Sequence, residues 1–549
     1  MTGRPKEFSP PRGNWGLASP ERQGSNDGAL SAPPEEARLQ IALDRTGGTP
    51  LFLQIKRHVE GLISGGVLPP GSKLPATREL ARALGTNRAT VTTAYDMLVA
   101  EGWTRAHVGQ GTFVAERGAA GATAPVAASP VTTLAVDWEA ACSRGARRLA
   151  ADARRREGFE AATGADGRLI SFVGTTPDPT LFPTEAFRRA LNRVIKREGS
   201  LLLQYNPVAG YPALRRYLAA WLVRHGIEAP EEEVLVVNGS QQGLDLIARL
   251  LIDPGDAVVL EQPTYPGAIQ TFGAAQAQIL PLPIGADGLR VEALAALLDR
   301  HRPKLLYCQP SGQNPTGLSL DPATRRALLE LCARHGLPVV EDGFGGPADA
   351  ERGHLPLRAL DRHGLVIHLG TFSKILFPGL RLGWMVVPRP LVEPLSSIKQ
   401  LADLSTSALL QAALTHFCAQ RRLERHARTV RAEYARRRAA LLRALARHLP
   451  RGVAWTTPDE SGFSLLVTLP EGLDAAALLP RAVERGVAYM PGRFFFVGDQ
   501  GERTLRLAFA SLSAPRIEDG VRRLAEVLQE AVRRRRPRVA GPRAALPLV

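Results

Sequence analysis

Cysteine is scarce in this sequence and shows no pattern. Cys142, Cys308, Cys332 and Cys418 make neither a CxxC pair nor a disulfide ladder, so a reducing cytoplasm is the expected setting. No apolar stretch approaches the ~18 residues of a membrane span, and the opening residues MTGRPKEFSP contain no apolar signal core. Lysine is also rare. Of 69 basic residues only seven are lysines: Lys6, Lys56, Lys73, Lys196, Lys304, Lys374 and Lys399. In a chain so biased towards arginine, each lysine raises the question of what a guanidinium could not do there. Against these absences stand 549 residues, 44% of them hydrophobic, and a formal charge of +16. That length exceeds what a single core supports, so more than one globular domain is expected.

The pattern along the chain suggests five parts. Residues 1–43 are rich in Pro, Gly, Ser and charge and read as a disordered arm. Residues 44–115 hold short amphipathic helices. Residues 116–165 read as a linker, Ala/Gly/Pro/Thr-rich to 135 and Ala/Arg-rich beyond. From 166 to 530 short apolar runs alternate with long helical patterns, as in an α/β domain with a largely parallel sheet. Residues 531–549 form a basic tail with six arginines and no acid.

In the first globular segment, LFLQIKRHVEGLISG places Ile55, Val59, Leu62 and Ile63 on one helical face. Pro69-Pro70-Gly71 forces a turn. Ala76 to Leu84 reads as a second helix stopped by Gly85, and Thr86-Asn87 can cap a third that runs to about Glu101. Two short helices across a tight glycine turn suggest helix-turn-helix, and WTRAHVGQGTFV then reads as a hairpin wing. With PLFLQ, PPGSKLPATRELA, NRATVTTAYDMLVAEGW and VGQGTFV in order, the segment resembles the winged-helix domain of the GntR family of bacterial regulators. The resemblance implies binding to double-stranded DNA. It puts Arg78 and Arg88 near DNA, Thr77, Asn87 and Thr90 as polar contacts, and Gly109 at the wing tip. Net charge over residues 50–115 is only +3, so the ordered motifs and not the charge carry this reading.

In the second segment, Val234–Val237, Val258–Leu260, Leu305–Cys308, Val339–Val340 and Val366–Leu369 fit buried strands. After them come Asn238-Gly-Ser-Gln-Gln-Gly, Glu261-Gln-Pro-Thr-Tyr, Gln309-Pro-Ser-Gly-Gln-Asn-Pro-Thr-Gly, Glu341-Asp342 and Gly370-Thr-Phe-Ser-Lys374. Ligands of parallel sheets bind off the carboxyl ends of strands, so these five ends describe one compact site. GSQQGLDLIARLL, the NPTG turn and SK…RLGW resemble the fold-type I aminotransferases, which use pyridoxal 5'-phosphate (PLP). The resemblance also implies a small C-terminal α+β subdomain.

It makes Lys374 the catalytic residue that forms the internal aldimine, Asp342 the partner of the pyridine nitrogen, Tyr265 a ring stacker and Asn314 the donor to the ring hydroxyl. Ser240, Gln241, Thr371, Ser373 and Arg381 become phosphate ligands, the first two at a helix start whose N–H groups suit an anion. Tyr205 resembles a tyrosine that reaches the partner subunit's phosphate, and Arg506 an arginine that clamps a substrate carboxylate. No metal is implied. Two departures stand out. Where the family usually has a tyrosine just after the aspartate, EDGFGG offers Phe344, and the family's G-x-P-D loop appears as Gly174-Thr175-Thr176-Pro177-Asp178, with the glycine displaced by one.

A GntR-type head, a linker and an aminotransferase-like domain together resemble the MocR (PdxR-like) regulators. That implies a PLP-dependent transcriptional regulator that senses PLP or an amine or amino acid effector, working as a head-to-tail homodimer. The alternative is an active aminotransferase, of 2-aminoadipate or aromatic amino acid type, with a vestigial head.

Overall fold

The computed structural model describes residues 39, 41, 43–45, 50–107, 111–115, 137–151, 169–286, 288–343, 354–419 and 421–535. Most of the expected arm and of the linker, wing-tip Gly109, Phe344 and the end of the basic tail lie outside the described residues, but the arm's last residues are not disordered: Leu39 is buried in the first unit's core, with Ile41 and Leu43 packed against it. The chain divides into two compact units, residues 1–135 and 136–549.

In the first unit α1 (Leu51–Ser64), α2 (Thr77–Ala83) and α3 (Arg88–Ala100) enclose a core of Ile55, Val59, Leu74, Leu80, Val91, Tyr95 and Leu98. The predicted stripe on α1 is half realised: Ile55 and Val59 are buried, while Leu62 and Ile63 pack at the edge. Asn87 alone caps α3, its Oδ1 accepting from Thr90 N–H at 2.7 Å. Tyr95 Oη donates to Pro75 O at 3.0 Å and fixes the approach to α2. Strands β1 (Thr104–His107) and β2 (Gly111–Val114) pair antiparallel, Thr104 opposite Val114, and form the wing.

The second unit opens within the expected linker, with a short helix Trp138–Ala141 capped by Asp137, and its first strand is β3 (Ile170–Ser171). Its eight-stranded sheet contains β4 (Val234–Val237), β5 (Ala257–Gln262), β6 (Gln278–Gly285), β7 (Gly288–Leu289), β8 (Leu305–Cys308), β9 (Val339–Asp342), β10 (Val366–Thr371) and β11 (Gly383–Val386). The order is β4-β11-β10-β9-β8-β5-β6-β7. Pairs β10–β9, β9–β8, β8–β5 and β5–β6 are parallel, and β11 runs antiparallel between β4 and β10. All five runs expected as strands are strands, and β4, β8 and β9 are buried at every residue. Such burial on both faces explains why they read as continuous apolar runs without alternation. The carboxyl ends of β4, β5, β8, β9 and β10 therefore open on one edge.

A smaller antiparallel sheet, β12 (Ala454–Trp455), β13 (Ser464–Thr468), β16 (Thr504–Ala508) and β15 (Met490–Pro491), forms the C-terminal subdomain with order β12-β13-β16-β15. Strand β14 (Val487–Ala488) pairs with β3. Helices Arg422–His448 and Ala514–Arg535 cover this sheet through Leu441, Leu445, Leu524 and Leu528. The last helix runs to Arg535, five residues past the expected boundary at 530. Buried Val527, Leu528 and Ala531 anchor it, and Glu526 and Glu530 pair with Arg485 and Arg481, so the first arginines of the tail continue a packed helix.

Candidate functional site

Lys374 stands just past β10, partly buried. Its Nζ donates to the backbone oxygen of Thr175 at 2.9 Å and to Thr175 Oγ1 at 3.0 Å. Burial, with the nearby Arg506 charge, pushes its ammonium down to about 8, against the pull of Asp342. A lysine in that range is neutral, and so nucleophilic, over a far larger fraction of time at neutral pH than an exposed one. Capture of an aldehyde by this amine is therefore expected to accelerate as pH rises through about 8 and then level off. Stopped-flow absorbance across pH 6.5–10 checks this; acceleration continuing towards the ordinary lysine range would contradict it.

Asp342 ends β9 and is 3% exposed. Its Oδ2 accepts from Tyr307 Oη at 2.7 Å and from Gln309 Nε2 at 2.9 Å. Among the described residues its Oδ1 has no hydrogen-bond partner. Burial raises its pKa, while the Tyr307 and Gln309 bonds oppose that rise. A buried carboxylate oxygen without a donor is costly, and a protonated ring nitrogen would supply one. Asn314 is also buried, and its Oδ1 accepts from Arg506 Nη1 at 3.0 Å.

The candidate anion loop lies between β4 and helix Ser240–Leu251. Gly239 precedes that helix at φ +82. A Cβ on Gly239 would lie 2.9 Å from the Arg381 guanidinium, and one on Gly383 would lie 2.7 Å from Gly370 O. The loop backbone, β10 and β11 thus meet too closely for side chains there. Arg381 Nη2 donates to Asn238 O at 3.0 Å, and Thr371 Oγ1 accepts from Ser373 N–H at 3.1 Å. Asp403 holds the loop from behind, accepting from Asn238, Gln242 and buried Lys399. In the helix's first turn the Gln242 N–H donates to Gly239 O at 3.1 Å, while those of Ser240 and Gln241 have no intrahelical acceptor and suit a phosphate.

Tyr265 precedes helix Pro266–Ala274, its Oη donating to Gln241 Oε1 at 3.1 Å. Gln241 Nε2 donates to Thr271 Oγ1, so its side chain is engaged with neighbours and only its backbone N–H is offered to an anion. Arg506 is 5% exposed, lies 4.9 Å from the Phe495 ring centroid, and is lowered to about 10 by burial. Its described partners are oxygens of Asn314 and Val173, not a carboxylate, and its Nε has none among the described residues. Tyr205 stands apart, 82% exposed.

Three residues not singled out in the sequence belong to this group: Thr175, Tyr307 and Gln309. The register of β8 on β9 pairs Tyr307 with Val340 and Cys308 with Glu341, so Gln309 falls beside Asp342. Residues two apart on a strand share a face, which was a usable signal for Tyr307 and Gln309 together. Thr175 gave no such signal. The displaced-glycine loop that holds it is fastened by Arg437, which pairs with Asp178 at 2.6 Å.

In the first unit, exposed Arg78 lies in the first turn of α2, and exposed Arg88 opens α3 with its Nε 3.4 Å from Thr77 Oγ1. Asn87 Oδ1 accepts from both N–H and Oγ1 of Thr90, so these two polar groups first serve the cap. Arg45 donates to Leu84 O at 3.0 Å and Gly85 O at 2.8 Å and braces the turn between α2 and α3.

The family model for aminotransferase class I and II matches residues 173–524, and that for bacterial regulatory proteins of the gntR family matches residues 51–114. The probable rhizopine catabolism regulatory protein MocR of Rhizobium meliloti is 32% identical over 488 residues, covering 88% of this chain and 95% of that protein. The 2-aminoadipate transaminase of Thermus thermophilus is 39% identical and covers 72% of this chain and 98% of that enzyme. The crystal structure of an alpha-aminoadipate aminotransferase from Thermus thermophilus, complexed with N-(5'-phosphopyridoxyl)-L-leucine, superposes with TM-score 0.62 at 36% identity, covering 72% of this chain and all of that one.

Proposed function

This chain belongs to the aminotransferase class I and II family, in the branch that carries a gntR-family head, the MocR-type regulators, and from that premise we propose that Lys374 is the sensing group through which an amine controls DNA binding. The protein is a PLP-using, DNA-binding transcriptional regulator. The observation that carries the reading is buried Asp342 Oδ1, unpartnered among the described residues, in the group that includes Lys374, Asn314 and the helix start at Ser240. PLP, when bound, supplies an aldehyde that condenses with an amine and a ring that withdraws electrons.

The chain's own residues supply the rest. Asp342 keeps the ring nitrogen protonated, Asn314 meets the ring hydroxyl, and Tyr265 covers the ring. Ser240, Gln241, Thr371, Ser373 and Arg381 take the phosphate. Lys374 is held by Thr175 when its amine is free and leaves Thr175 when that amine is engaged. An effector amine selects between these two states, and only a difference in its affinity for them can move the heads.

Arg506 receives the carboxylate of an amino acid effector, its buried guanidinium needing an anion. Arg506→Leu is expected to cost an amino acid effector about 30-fold in affinity. The corresponding decarboxylated amine should be unaffected, as isothermal titration of the two ligands would read. The protein acts as a head-to-tail dimer in the cytoplasm. Exposed Leu201, Leu203 and Tyr205, at 77%, 75% and 82%, support a second copy covering this face, with Tyr205 reaching the partner's phosphate. At the DNA, Arg78 and Arg88 make the main contacts, Thr77, Asn87 and Thr90 make polar ones, and Gly109 enters from the wing.

The test is to titrate the PLP-loaded protein with a panel of amino acids, following cofactor absorbance and affinity for its own upstream DNA in parallel. An effector should move both with one midpoint. Amino acids that change the absorbance while DNA affinity never moves would favour the aminotransferase alternative.

A further inference from the structure

Gln309 makes three hydrogen bonds that no single role in the core requires. Its backbone N–H donates to buried Glu261 at 3.1 Å, its Nε2 donates to Asp342 Oδ2 at 2.9 Å, and its Oε1 accepts from the Asn314 N–H at 3.0 Å. It is 2% exposed and follows β8 directly. One planar amide therefore touches both the carboxylate at the ring-nitrogen position and the backbone that carries the amide at the ring-hydroxyl position. Those two groups must stand a fixed distance apart to meet opposite parts of one rigid ring.

We propose that Gln309 is a positioning residue that sets the spacing of Asp342 and Asn314 and gives Asp342 Oδ2 an uncharged donor, leaving Oδ1 for the cofactor ring. This rests on the reading of the pocket as a PLP site. An amide suits the position because it donates at one end and accepts at the other without adding charge. The surroundings need that neutrality. Tyr307 on β8, His368 on β10 (bonded to Glu341 on β9) and Lys374 act on Asp342, Glu261 on β5 faces Asp342 in turn, and Tyr265 acts on Tyr307 and Arg506 on Lys374. Burial already pushes Glu261 up to about 8. A second acceptor-only group beside Asp342 would leave two carboxylates facing each other with no proton between them.

The test measures PLP dissociation constants of the full chain by absorbance between pH 6.5 and 9, each variant expressed as a ratio to the parent. In Gln309→Glu the new carboxyl can donate to Asp342 only when protonated. Burial and Asp342 raise its pKa, so binding is retained below that pKa and lost as pH rises through it. The ratio should be within about threefold of one at pH 6.5 and climb towards about tenfold per pH unit at the alkaline end. Gln309→Leu, which removes donor and acceptor without charge, should raise the dissociation constant about 30-fold at every pH. Circular dichroism establishes that each variant is folded, and Gln309→Leu carries the test alone if glutamate is not tolerated. A flat ratio for Gln309→Glu, or a Gln309→Leu constant within twofold of the parent, would overturn the role. Absence of saturable PLP uptake by the parent would overturn the pocket reading and this inference with it.

Discussion

Lys374→Ala is expected to abolish the absorbance band at roughly 410–430 nm that lysine-linked PLP gives the parent protein. The effect should be complete, because alanine has no amine to condense and no neighbouring lysine can substitute. Lys399 is buried against Asp403 behind the phosphate loop, at 2.9 Å, and Lys304 pairs with Asp256 beside the opposite, amino-terminal end of β5. Added PLP should still bind through Asp342, Asn314 and the loop at Ser240, and be removable by dialysis. Equilibrium dialysis against PLP, with phosphate assayed in excess on the protein side, separates this outcome from a collapsed site. Arginine at 374 should restore the charge but not the band, which answers why this Arg-rich chain keeps a lysine here.

The second large effect belongs to the head. Arg88→Ala should weaken binding to upstream DNA by about 100-fold or more, since a dimer loses one such contact in each of two heads at ~1–3 kcal/mol apiece. Arg88 opens α3, where the first residues of a recognition helix face base edges and phosphates. If its contact is to phosphate, the loss should be uniform across DNA sequences and the salt dependence should fall by about one phosphate per head; if to a base, discrimination at one position should relax. The PLP band should be unchanged. Fluorescence anisotropy over a salt series reads the first result and absorbance the second. A cofactor signal lost along with DNA affinity would contradict two separately built units.

Most of this was legible in the sequence for a simple reason. Doubly buried strands must be apolar throughout, and their ends must carry whatever the site uses, so β4, β8, β9 and β10 and the residues after them stood out together. The α2–turn–α3 unit was equally plain because Gly85 takes φ +60 and Asn87 caps the following helix. The supporting contacts were harder. Tyr307 looked like core because its neighbours in LLYC are core, and only the strand register sets it against Asp342. Thr175 meets Lys374 across 199 residues of chain, a pairing that no local pattern encodes. Nor did composition reveal that the arginines at 533–535 extend a helix, because Val527, Leu528 and Ala531 impose that from the apolar side.

If an amine controls DNA binding through Lys374, the lysine's amine and the DNA heads belong to one equilibrium. The most direct measurement compares upstream DNA affinity of the parent and of Lys374→Ala, each without cofactor, with saturating PLP, and with PLP plus the effector amine found by titration. The parent's affinity should change between these conditions by at least about fivefold, and Lys374→Ala should give one affinity throughout. Identical behaviour of the two proteins, with the parent's PLP band present, would contradict that single equilibrium.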